Sequence, residues 1–442
     1  MVKWPACTVI TVNWNGKQHL ADCLPSVLAL DYPKKLLEVI VVDNASTDGS
    51  VDFLRKSFPS VRVVETGANL GFAGGNNAGV KHAKGEIIAL INSDARADPG
   101  WLKALVEPLV SGSKKLVATS CLSTGWDGTG VDAPVPVSIL GVATGYPVGL
   151  KKAEDYLERR PVLLPAGNGC AIRKKAFVDA GGFDDDFFMY LEDVDLGWRF
   201  WLMGYEILHI PEARIWHKGT GSRKEAMSRL YAIAERNALF VLIKNLEDET
   251  LARLLPAALW VKIQRFLSYA NVDIESYKFG KPRDPRQSIS VNSEAFTPIV
   301  GAVQALELIE KMFAKRAKIQ KMRKRSDKEI FKLFDRPFDF QSFDKGSIKL
   351  QHSMLSAMGW DIRPLQATPE ELRGLHDIID KQNRELRGVL RKYEEQEQRH
   401  NAEVKRLLEW SEPRIPVLSH AYRRALPHLR RAKSAVKRVV RR

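Results

Sequence analysis

Short runs of β-branched and apolar residues alternate with amphipathic stretches over the first 110 residues of the chain. The runs predict strands, and the stretches between them predict helices. The predicted strands are Thr8–Val12, Val39–Val42, Val61–Val64 and Ile87–Ile91, and the predicted helices are Leu20–Leu30, Ser50–Phe58 and Gly74–Ala83. Strands this apolar, separated by helices, are typical of a parallel sheet covered on both faces. Such sheets bind ligands at the carboxyl ends of their strands.

The pattern changes beyond residue 110. Residues 110–165 are rich in Gly and Pro and are harder to assign, whereas the chain beyond residue 222 reads as mainly helical. Regular secondary structure of unassigned type is predicted over 168–183, and a polar linker is predicted over 278–298. The further predicted helices are 192–203, 225–245, 251–271 and 299–334. Residues 369–410 carry apolar side chains at 3-4 spacing, which predicts a coiled-coil seam or a surface helix packed on its own domain.

The formal net charge of +15 belongs entirely to the second half of the chain. Residues 1–240 hold 27 basic and 27 acidic side chains, and the remaining 202 residues hold 41 and 26. A nucleic-acid enzyme usually carries its basic surface around the active site, so this distribution argues against that class. We expect a neutral catalytic or binding domain (1–245), a helical region that is either membrane-apposed or packed on that domain (246–335), and a basic helical tail (336–442).

Cysteine usage and hydropathy narrow the class of protein further. The four cysteines form no C-x-x-C pair, which fits a reducing cytosol and argues against a zinc ribbon or a disulfide scaffold. The N-terminal residues lack the apolar core of a signal peptide. No apolar run approaches the roughly 20 residues that span a bilayer. We therefore expect a soluble or peripheral protein.

Acidic residues follow two of the predicted strands. Asp43 closes the second strand in VVDNASTDGS, and a carboxylate there can accept a hydrogen bond from a pyrimidine N–H. Asp94 follows the fourth strand in INSDA, and it is a hard oxygen donor suited to Mg²⁺ or Mn²⁺ carrying a diphosphate. A capped turn at Asp43 and an Asx turn at Asp94 are the structural alternatives, and Asp48 is assigned to a helix cap.

A third acidic cluster, FFMYLEDVDLGWRF, opens a predicted helix. Glu192 and Asp193 lie where the helix dipole stabilises negative charge, and one of them can serve as general base on an acceptor hydroxyl. Ordinary first-turn acids are the alternative, and a structural role is preferred for Asp195. The preceding run 184–186 follows no strand and is read as a solvated turn. Residues 167–169 (Gly-Asn-Gly) either direct backbone N–H groups at a ligand or form a tight structural turn.

The order of VVDNASTDGS, NLGFAGGNNAG, LINSDA, GNGCAIRKKAFVDAGGFDDDFFMYLEDVDLGWR and IWHKGTGS resembles glycosyltransferase family 2, and more narrowly its bacterial rhamnosyltransferase-like branch. The resemblance covers about residues 6–245. It implies a GT-A fold, which is a Rossmann-like α/β nucleotide-sugar-binding domain, here followed by a mainly helical, basic extension. It also implies an inverting transfer from a nucleotide sugar.

The resemblance assigns roles to individual residues. It implies that Asp43 binds the pyrimidine ring of the nucleotide sugar and that Asn13 lies near the nucleotide. It also implies a donor-binding loop, which includes Asn69, Gly71 and a turn of Gly74, Gly75 and Asn76. Asp94 matches the last position of the D-x-D metal motif, and Asn92 stands at the first. His217 either completes the metal site or has a structural or acceptor-side role. Asp193 matches the catalytic base, and Glu192 is the alternative base.

The resemblance also implies substrates and a location. The donor is dTDP-rhamnose or a UDP-sugar, the acceptor is a glycan or lipid-linked hydroxyl in cell-surface polysaccharide synthesis, and the cofactor is Mg²⁺ or Mn²⁺. The basic C-terminal part predicts a cytoplasmic protein at the anionic inner face of the cell membrane, with possible homo-oligomers through its helices. A non-catalytic scaffold of a polysaccharide-assembly complex is the alternative function. A dinucleotide oxidoreductase is disfavoured, because Asn13-Trp14-Asn15-Gly16 stands where G-x-G-x-x-G is required.

Overall fold

A computed structural model describes residues 3–128, 157–219, 227–270 and 293–333. The chain divides into two compact units, residues 1–365 and 366–442, and every described residue belongs to the first. The predicted coiled-coil segment 369–410 and the basic tail segment 423–442 lie outside the described residues.

The strands of the described part form one nine-stranded sheet. In chain order they are β1 (Cys7–Asn13), β2 (Leu37–Asp43), β3 (Arg62–Glu65), β4 (Ile87–Ile91), β5 (Ala95–Ala97), β6 (Leu116–Gly125), β7 (Arg160–Pro161), β8 (Gly169–Arg173) and β9 (Glu206–His217). The spatial order is β3-β2-β1-β4-β8-β6-β9-β5, and β7 pairs with β9.

The parallel arrangement predicted for the four strands of the first 110 residues is confirmed in β1 to β4. These four strands are parallel, and Asn13 at the end of β1 pairs with Asp43 at the end of β2. Strand β8 runs antiparallel to both β4 and β6, so the whole sheet is mixed. Strand β6 lies within residues 110–165, which the sequence pattern leaves unassigned. This strand buries Thr119, Ser120 and Ser123, and these small polar side chains hide its pattern in the sequence.

Helices cover both faces of the sheet. They are α1 (Lys17–Leu28), α2 (Ser50–Ser57), α3 (Gly71–His82), α4 (Trp101–Ser111), α5 (Lys174–Asp179), α6 (Glu192–Leu202), α7 (Met227–Asn245), α8 (Asp248–Tyr269), α9 (Thr297–Glu307), α10 (Ile309–Lys321) and α11 (Asp327–Ile330). Short 3₁₀ turns occur at Lys34–Leu36, Asp185–Phe187, Ser293–Phe296 and Phe331–Leu333.

The C-terminal helices differ from the prediction in two places. The predicted helix 299–334 is interrupted at Leu308 and again after Lys321, so it forms three helices and a 3₁₀ turn. The predicted linker 278–298 extends too far towards the C-terminus, because Ser293–Phe296 form a 3₁₀ turn and α9 begins at Thr297. The rest of that linker lies outside the described residues.

Two hydrophobic cores lie on opposite faces of the sheet. One joins α1 and α4 to the sheet, and the other joins α3, α6, α7, α8 and α10 to it. Leu254, Ala258 and Val261 of α8 are buried in the second core, so these side chains pack on the domain, whereas Ile263 is exposed. The fold is therefore α/β with a mainly helical C-terminal part, as the sequence predicts. None of the helices in the described ranges is long and apolar enough to cross a membrane.

Candidate functional site

The carboxyl ends of β1 and β2 bring Asn13 and Asp43 together. Asn13 donates from Nδ2 to Asp43 Oδ2 at 2.9 Å and to Ser46 Oγ at 3.0 Å. The other carboxylate oxygen, Asp43 Oδ1, accepts the backbone N–H of Ser46 at 2.8 Å. A carboxylate offers about four lone-pair sites, so Asp43 keeps accepting capacity for a further N–H donor. Asp48 is not the predicted cap of α2, because Gly49 occupies the N-cap position without a side-chain cap. Asp48 still bonds to the start of the helix, since its Oδ1 accepts the N–H of Ser50 at 3.0 Å.

The predicted donor-binding loop is attached to the end of β2 by Asn44. Asn44 donates from Nδ2 to the carbonyl of Gly71 at 2.8 Å, and Asn69 Oδ1 accepts the N–H of Gly71 at 2.9 Å. Gly71 has a φ of 69°, and a Cβ there would lie 2.3 Å from the carbonyl oxygen of Phe188. Asn44 was not singled out from the sequence as a binding residue, although it directly follows Asp43 in the motif.

Gly74, Gly75 and Asn76 do not form the predicted turn, because they lie within the first turns of α3. A Cβ at Gly75 would lie 2.8 Å from Cγ1 of Val12 on β1, so the absence of a side chain permits close packing of helix on sheet. Asn76 is buried and donates to the carbonyl of Phe72 within its own helix, at 2.9 Å. Their assigned role in donor binding stays a prediction.

Asn92, Asp94 and His217 meet at the ends of β4 and β9. His217 Nε2 lies 3.1 Å from Asp94 Oδ1 and 3.2 Å from Asn92 Nδ2. Ala95, next to Asp94, pairs with His217 across β5 and β9. Burial alone would raise the pKa of the Asp94 carboxyl, but the hydrogen bond and charge of His217 outweigh it and hold this pKa below its usual value. Asp94 is therefore ionised at neutral pH.

The donor atoms at this edge fit a divalent cation in part. Two ligands at right angles around a cation at about 2.1 Å are about 3 Å apart, which matches the separation of Asp94 Oδ1 and His217 Nε2. No group of three or more His, Cys, Asp or Glu side chains in the described ranges could hold a metal ion. These residues thus fit a cation whose remaining ligands are phosphate oxygens of a substrate.

Asp193 lies at the start of α6 with both carboxylate oxygens held by backbone N–H groups. Gly167 donates to Oδ2 at 3.1 Å, and Val194 donates to Oδ1 at 2.8 Å. Burial raises the pKa of Asp193, and these backbone hydrogen bonds reduce the effect without cancelling it. The alternative of a structural turn at 167–169 is supported for Gly167 and Gly169, because the N–H of Gly169 bonds to the carbonyl of Ala166.

Glu192 is buried beside Asp193 and differs from it in its hydrogen bonding. Its Oε2 has no hydrogen-bond partner among the described residues, and its side chain is almost fully shielded from solvent. Burial and the neighbouring Asp193 charge raise the pKa of Glu192 well above its usual value. Glu192 therefore loses its proton less readily than an ordinary glutamate, which makes it the weaker candidate for a base that must be ionised.

The start of β8 connects the Asp94 and Asp193 clusters. Gly169 pairs with Ile91 at the end of β4, and the N–H of Asn92 bonds to the carbonyl of Asn168 at 3.2 Å. One residue earlier, Gly167 bonds to Asp193. A three-residue segment therefore contacts the candidate metal ligands on one side and the candidate base on the other.

The segment Phe187–Leu191, immediately before α6, has a strained backbone. Phe188, Tyr190 and Leu191 all have positive φ, between 63° and 69°, which is uncommon for residues with side chains. Asn237 on α7 donates from Nδ2 to the carbonyls of Phe187, Met189 and Tyr190. Asn237 was missed in the sequence, because nothing in the helical pattern distinguishes it.

The predicted solvated turn at 184–186 is confirmed for Asp185, which is exposed in a 3₁₀ turn, but it is wrong for Asp184 and Asp186. Asp184 is nearly buried and pairs with Lys244 of α7 and Lys315 of α10, and Asp186 pairs with Lys311 and Lys315. Burial alone would raise the pKa of Asp184, but the two lysines hold it far below its usual value.

The structural role expected for Asp195 is confirmed. Its carboxylate is fully buried and pairs with Arg199 and Lys244, both at 2.8 Å, and it also accepts from Asn245 at 2.9 Å. These contacts attach the buried side of α6 to α7, so Asp195 fixes the helix that carries Asp193.

Residues 8–180 match the family model described as Glycosyl transferase family 2. The chain is 29% identical over 259 residues to N-acetylglucosaminyl-diphospho-decaprenol L-rhamnosyltransferase of Mycobacterium tuberculosis, which covers 53% of this chain and 83% of that protein. It is 26% identical over 205 residues to poly-beta-1,6-N-acetyl-D-glucosamine synthase of Staphylococcus epidermidis, covering 46% and 47%. Mannosyltransferase PcManGT from Pyrobaculum calidifontis, solved with GDP-Man and Mn²⁺, aligns over 76% of this chain and 88% of its own with a TM-score of 0.42 at 19% identity.

Proposed function

Since residues 8–180 form a glycosyl transferase family 2 domain, we propose that the chain transfers a sugar, with inversion, from a pyrimidine nucleotide sugar to an acceptor hydroxyl. One observation carries this proposal. The segment 167–169 contacts Asp193 through Gly167 and Asn92 through Asn168, so a candidate base and the candidate diphosphate site adjoin the same three residues.

Asp193 is the base in the proposed reaction. The acceptor oxygen bonds to the anomeric carbon as the bond from that carbon to the nucleoside diphosphate breaks, and the acceptor proton passes to Asp193. General-base assistance of this kind contributes about 10²–10⁴-fold to a rate. The raised pKa strengthens Asp193 as a proton acceptor, and the Gly167 and Val194 N–H groups fix its orientation. One carboxylate base suffices for a single inverting displacement.

Asp43 and Asn13 are proposed to hold the nucleotide. Asp43 retains accepting capacity for the N–H of uracil or thymine, and Asn13 fixes the carboxylate from the neighbouring strand. Asn69 and Gly71 form the loop that Asn44 attaches beside them. Asp94 and His217 would hold Mg²⁺ or Mn²⁺. A bound divalent cation neutralises the charge that develops on a departing diphosphate.

The acceptor is proposed to be a lipid-linked glycan precursor at the inner face of the cell membrane. The Mycobacterium tuberculosis relative is named for a diphospho-decaprenol acceptor and for rhamnose transfer, which favours dTDP-rhamnose as donor here. The basic excess beyond residue 240 supports attraction to an anionic surface, at about 1 kcal/mol for each nearby Lys or Arg. The chain is also proposed to self-associate through its C-terminal helices.

Calorimetric binding of UDP, dTDP and GDP to the full chain tests the donor assignment. We expect UDP and dTDP to bind more tightly than GDP, and Asp43→Asn to remove that preference because it weakens acceptance of the base N–H. Asp48→Asn is the matched control, since Asp48 lies in the same motif but bonds to Ser50 at the start of α2. Tighter binding of GDP, or an unchanged preference in Asp43→Asn, would refute the pyrimidine assignment.

A further inference from the structure

The guanidinium of Arg96 lies between two indole rings at the edge of the sheet. Its central carbon is 5.1 Å from the ring centroid of Trp126 and 4.7 Å from that of Trp216. Arg96 on β5 and Trp216 on β9 are register partners, and Trp126 directly follows β6. Cation–π attraction on both sides therefore holds the guanidinium in a position that three adjacent strands define.

Arg96 carries an unneutralised charge in this arrangement. It is exposed, and it makes no ion pair or hydrogen bond with any described residue. The neighbouring cation, Lys218, lies 4.4 Å from the Trp126 ring but is paired with Asp22 at 2.7 Å. Cation–π contacts leave the N–H groups of a guanidinium free to donate to a ligand, and its planar fork matches a phosphate group.

Arg96 occupies the same face of the sheet as the segment that holds Asp193. Side chains alternate along a strand, so Trp216 and His217 point to opposite faces. Ala95, Ala97 and Ile215, the strand neighbours of Arg96 and Trp216, are buried in the core that holds α1 and α4. Arg96 and Trp216 therefore point to the other face, on which α6 packs. Ser120 Oγ accepts the N–H of Ala166 at 3.1 Å, and the next residue, Gly167, bonds to Asp193.

We propose that Arg96, clamped between Trp126 and Trp216, binds a phosphate group of the acceptor substrate. The inference rests on the proposed function, in which Asp193 activates the acceptor hydroxyl. An acceptor whose hydroxyl faces Asp193 lies on the face that carries Arg96, so an anionic group elsewhere on that acceptor meets the guanidinium. The donor diphosphate has the same chemistry, and the test separates the two sources.

The test compares two acceptors with the same sugar, one an alkyl diphosphate ester and the other a neutral alkyl glycoside. For Arg96→Ala in the full chain we expect the KM of the diphosphate acceptor to rise by about tenfold to a hundredfold. The KM of the neutral acceptor and of the donor should stay unchanged. The KM of Arg96→Lys for the diphosphate acceptor should lie between those of the wild type and Arg96→Ala, because lysine keeps the charge but loses the planar fork. Arg55→Ala is the control, since Arg55 is an exposed arginine on α2 paired with Glu65.

Several outcomes would overturn the inference. An unchanged KM for the diphosphate acceptor, or an equal rise in KM for both acceptors, would show that Arg96 does not recognise the phosphate group. A rise confined to the donor KM would assign the guanidinium to the donor diphosphate instead. If the wild-type chain transfers to neither acceptor, the proposed function fails separately. Pyrophosphate binding in EDTA then decides the matter: weaker binding by Arg96→Ala supports the site, and equal binding refutes it.

Discussion

Asn237 donates its side-chain amide to the carbonyl of Tyr190 at 2.8 Å, two residues before Glu192. The same nitrogen reaches the carbonyls of Phe187 and Met189 at 2.9 Å. One fully buried side chain of α7 thus fixes the strained segment that leads into α6. The carbonyl of Phe188, within that segment, also accepts the N–H of Ala73 in α3. Asn237 therefore acts as a positioning residue for both sides of the candidate site.

Replacing Asn237 should harm stability and activity together. A buried carbonyl that loses its donor costs about 1–3 kcal/mol, so we expect Asn237→Ala to lower the free energy of unfolding by about 3 kcal/mol or more. We also expect a lower kcat, because Asp193 follows the released segment. Urea unfolding and steady-state kinetics measure the two effects.

Asn77→Ala is the matched control for Asn237. Asn77 also bonds to a backbone carbonyl, that of Phe183, but outside the strained segment. Asn77→Ala should lower the free energy of unfolding, while its kcat stays near that of the wild type. Full activity in folded Asn237→Ala would contradict the positioning role.

The pH dependence of kcat/KM for the acceptor should report the raised pKa of Asp193, because kcat/KM reflects the enzyme before the acceptor binds. The base works only when ionised, so kcat/KM should fall as the pH drops through that pKa. Because burial raises the pKa, this acidic limb should lie above the ordinary aspartate value of about 3.9. A profile of kcat/KM from pH 4 to pH 9 locates the limb. A kcat/KM that stays constant down to pH 4 would contradict the burial argument.

Glu192→Gln should change how stability depends on pH. A carboxyl whose pKa is raised in the folded state binds its proton more tightly there than in the unfolded chain. Its contribution to stability is present below the unfolded pKa of about 4.3 and is lost as the pH rises through the folded pKa. Glutamine does not titrate, so the stability of Glu192→Gln relative to wild type should increase over this window. Parallel stability curves from urea unfolding at pH 5–8 would refute the raised pKa.

The donor loop offers a matched pair of glycines. Gly67 and Gly71 have similar positive φ, 74° and 69°, but a Cβ at Gly67 would meet nothing within 4 Å, whereas one at Gly71 would collide with the carbonyl of Phe188. Gly67→Ala should cost about 1–2 kcal/mol from backbone strain alone. Gly71→Ala should cost more and also weaken donor binding, which urea unfolding and calorimetry measure. Equal losses in both variants would show that the contact with Phe188 is unimportant.

The sequence predicted best the elements that local pattern determines. Val39–Val42 is a dense β-branched run, and it lies within β2 with Asp43 at its end. The sequence does not predict strand β5, because Ala95–Ala97 gains its strand conformation from pairing with residues 215–217 of β9, about 120 residues away in the chain. The sheet is mixed for a similar reason, since the direction of β8 follows from non-local packing.

The difference between local pattern and non-local packing also explains which site residues the sequence predicts. Asn13 and Asp43 end neighbouring parallel strands, so their meeting follows from the strand pattern. The sequence predicts solvated aspartates at 184 and 186, because the lysines that neutralise them, Lys244 and Lys315, are distant in sequence. Asn237 and Arg96 likewise owe their roles to partners that only the folded chain brings near.

The most direct test of the proposed function measures acceptor-dependent release of nucleoside diphosphate from dTDP-rhamnose and UDP-sugars, with a lipid diphosphate sugar as acceptor. We predict release with one of these donors, an inverted anomeric configuration in the product by NMR, and loss of about 10²–10⁴-fold in kcat for Asp193→Asn, with donor binding retained. Release that does not depend on the acceptor, a retained configuration, or undiminished turnover by Asp193→Asn would contradict the account.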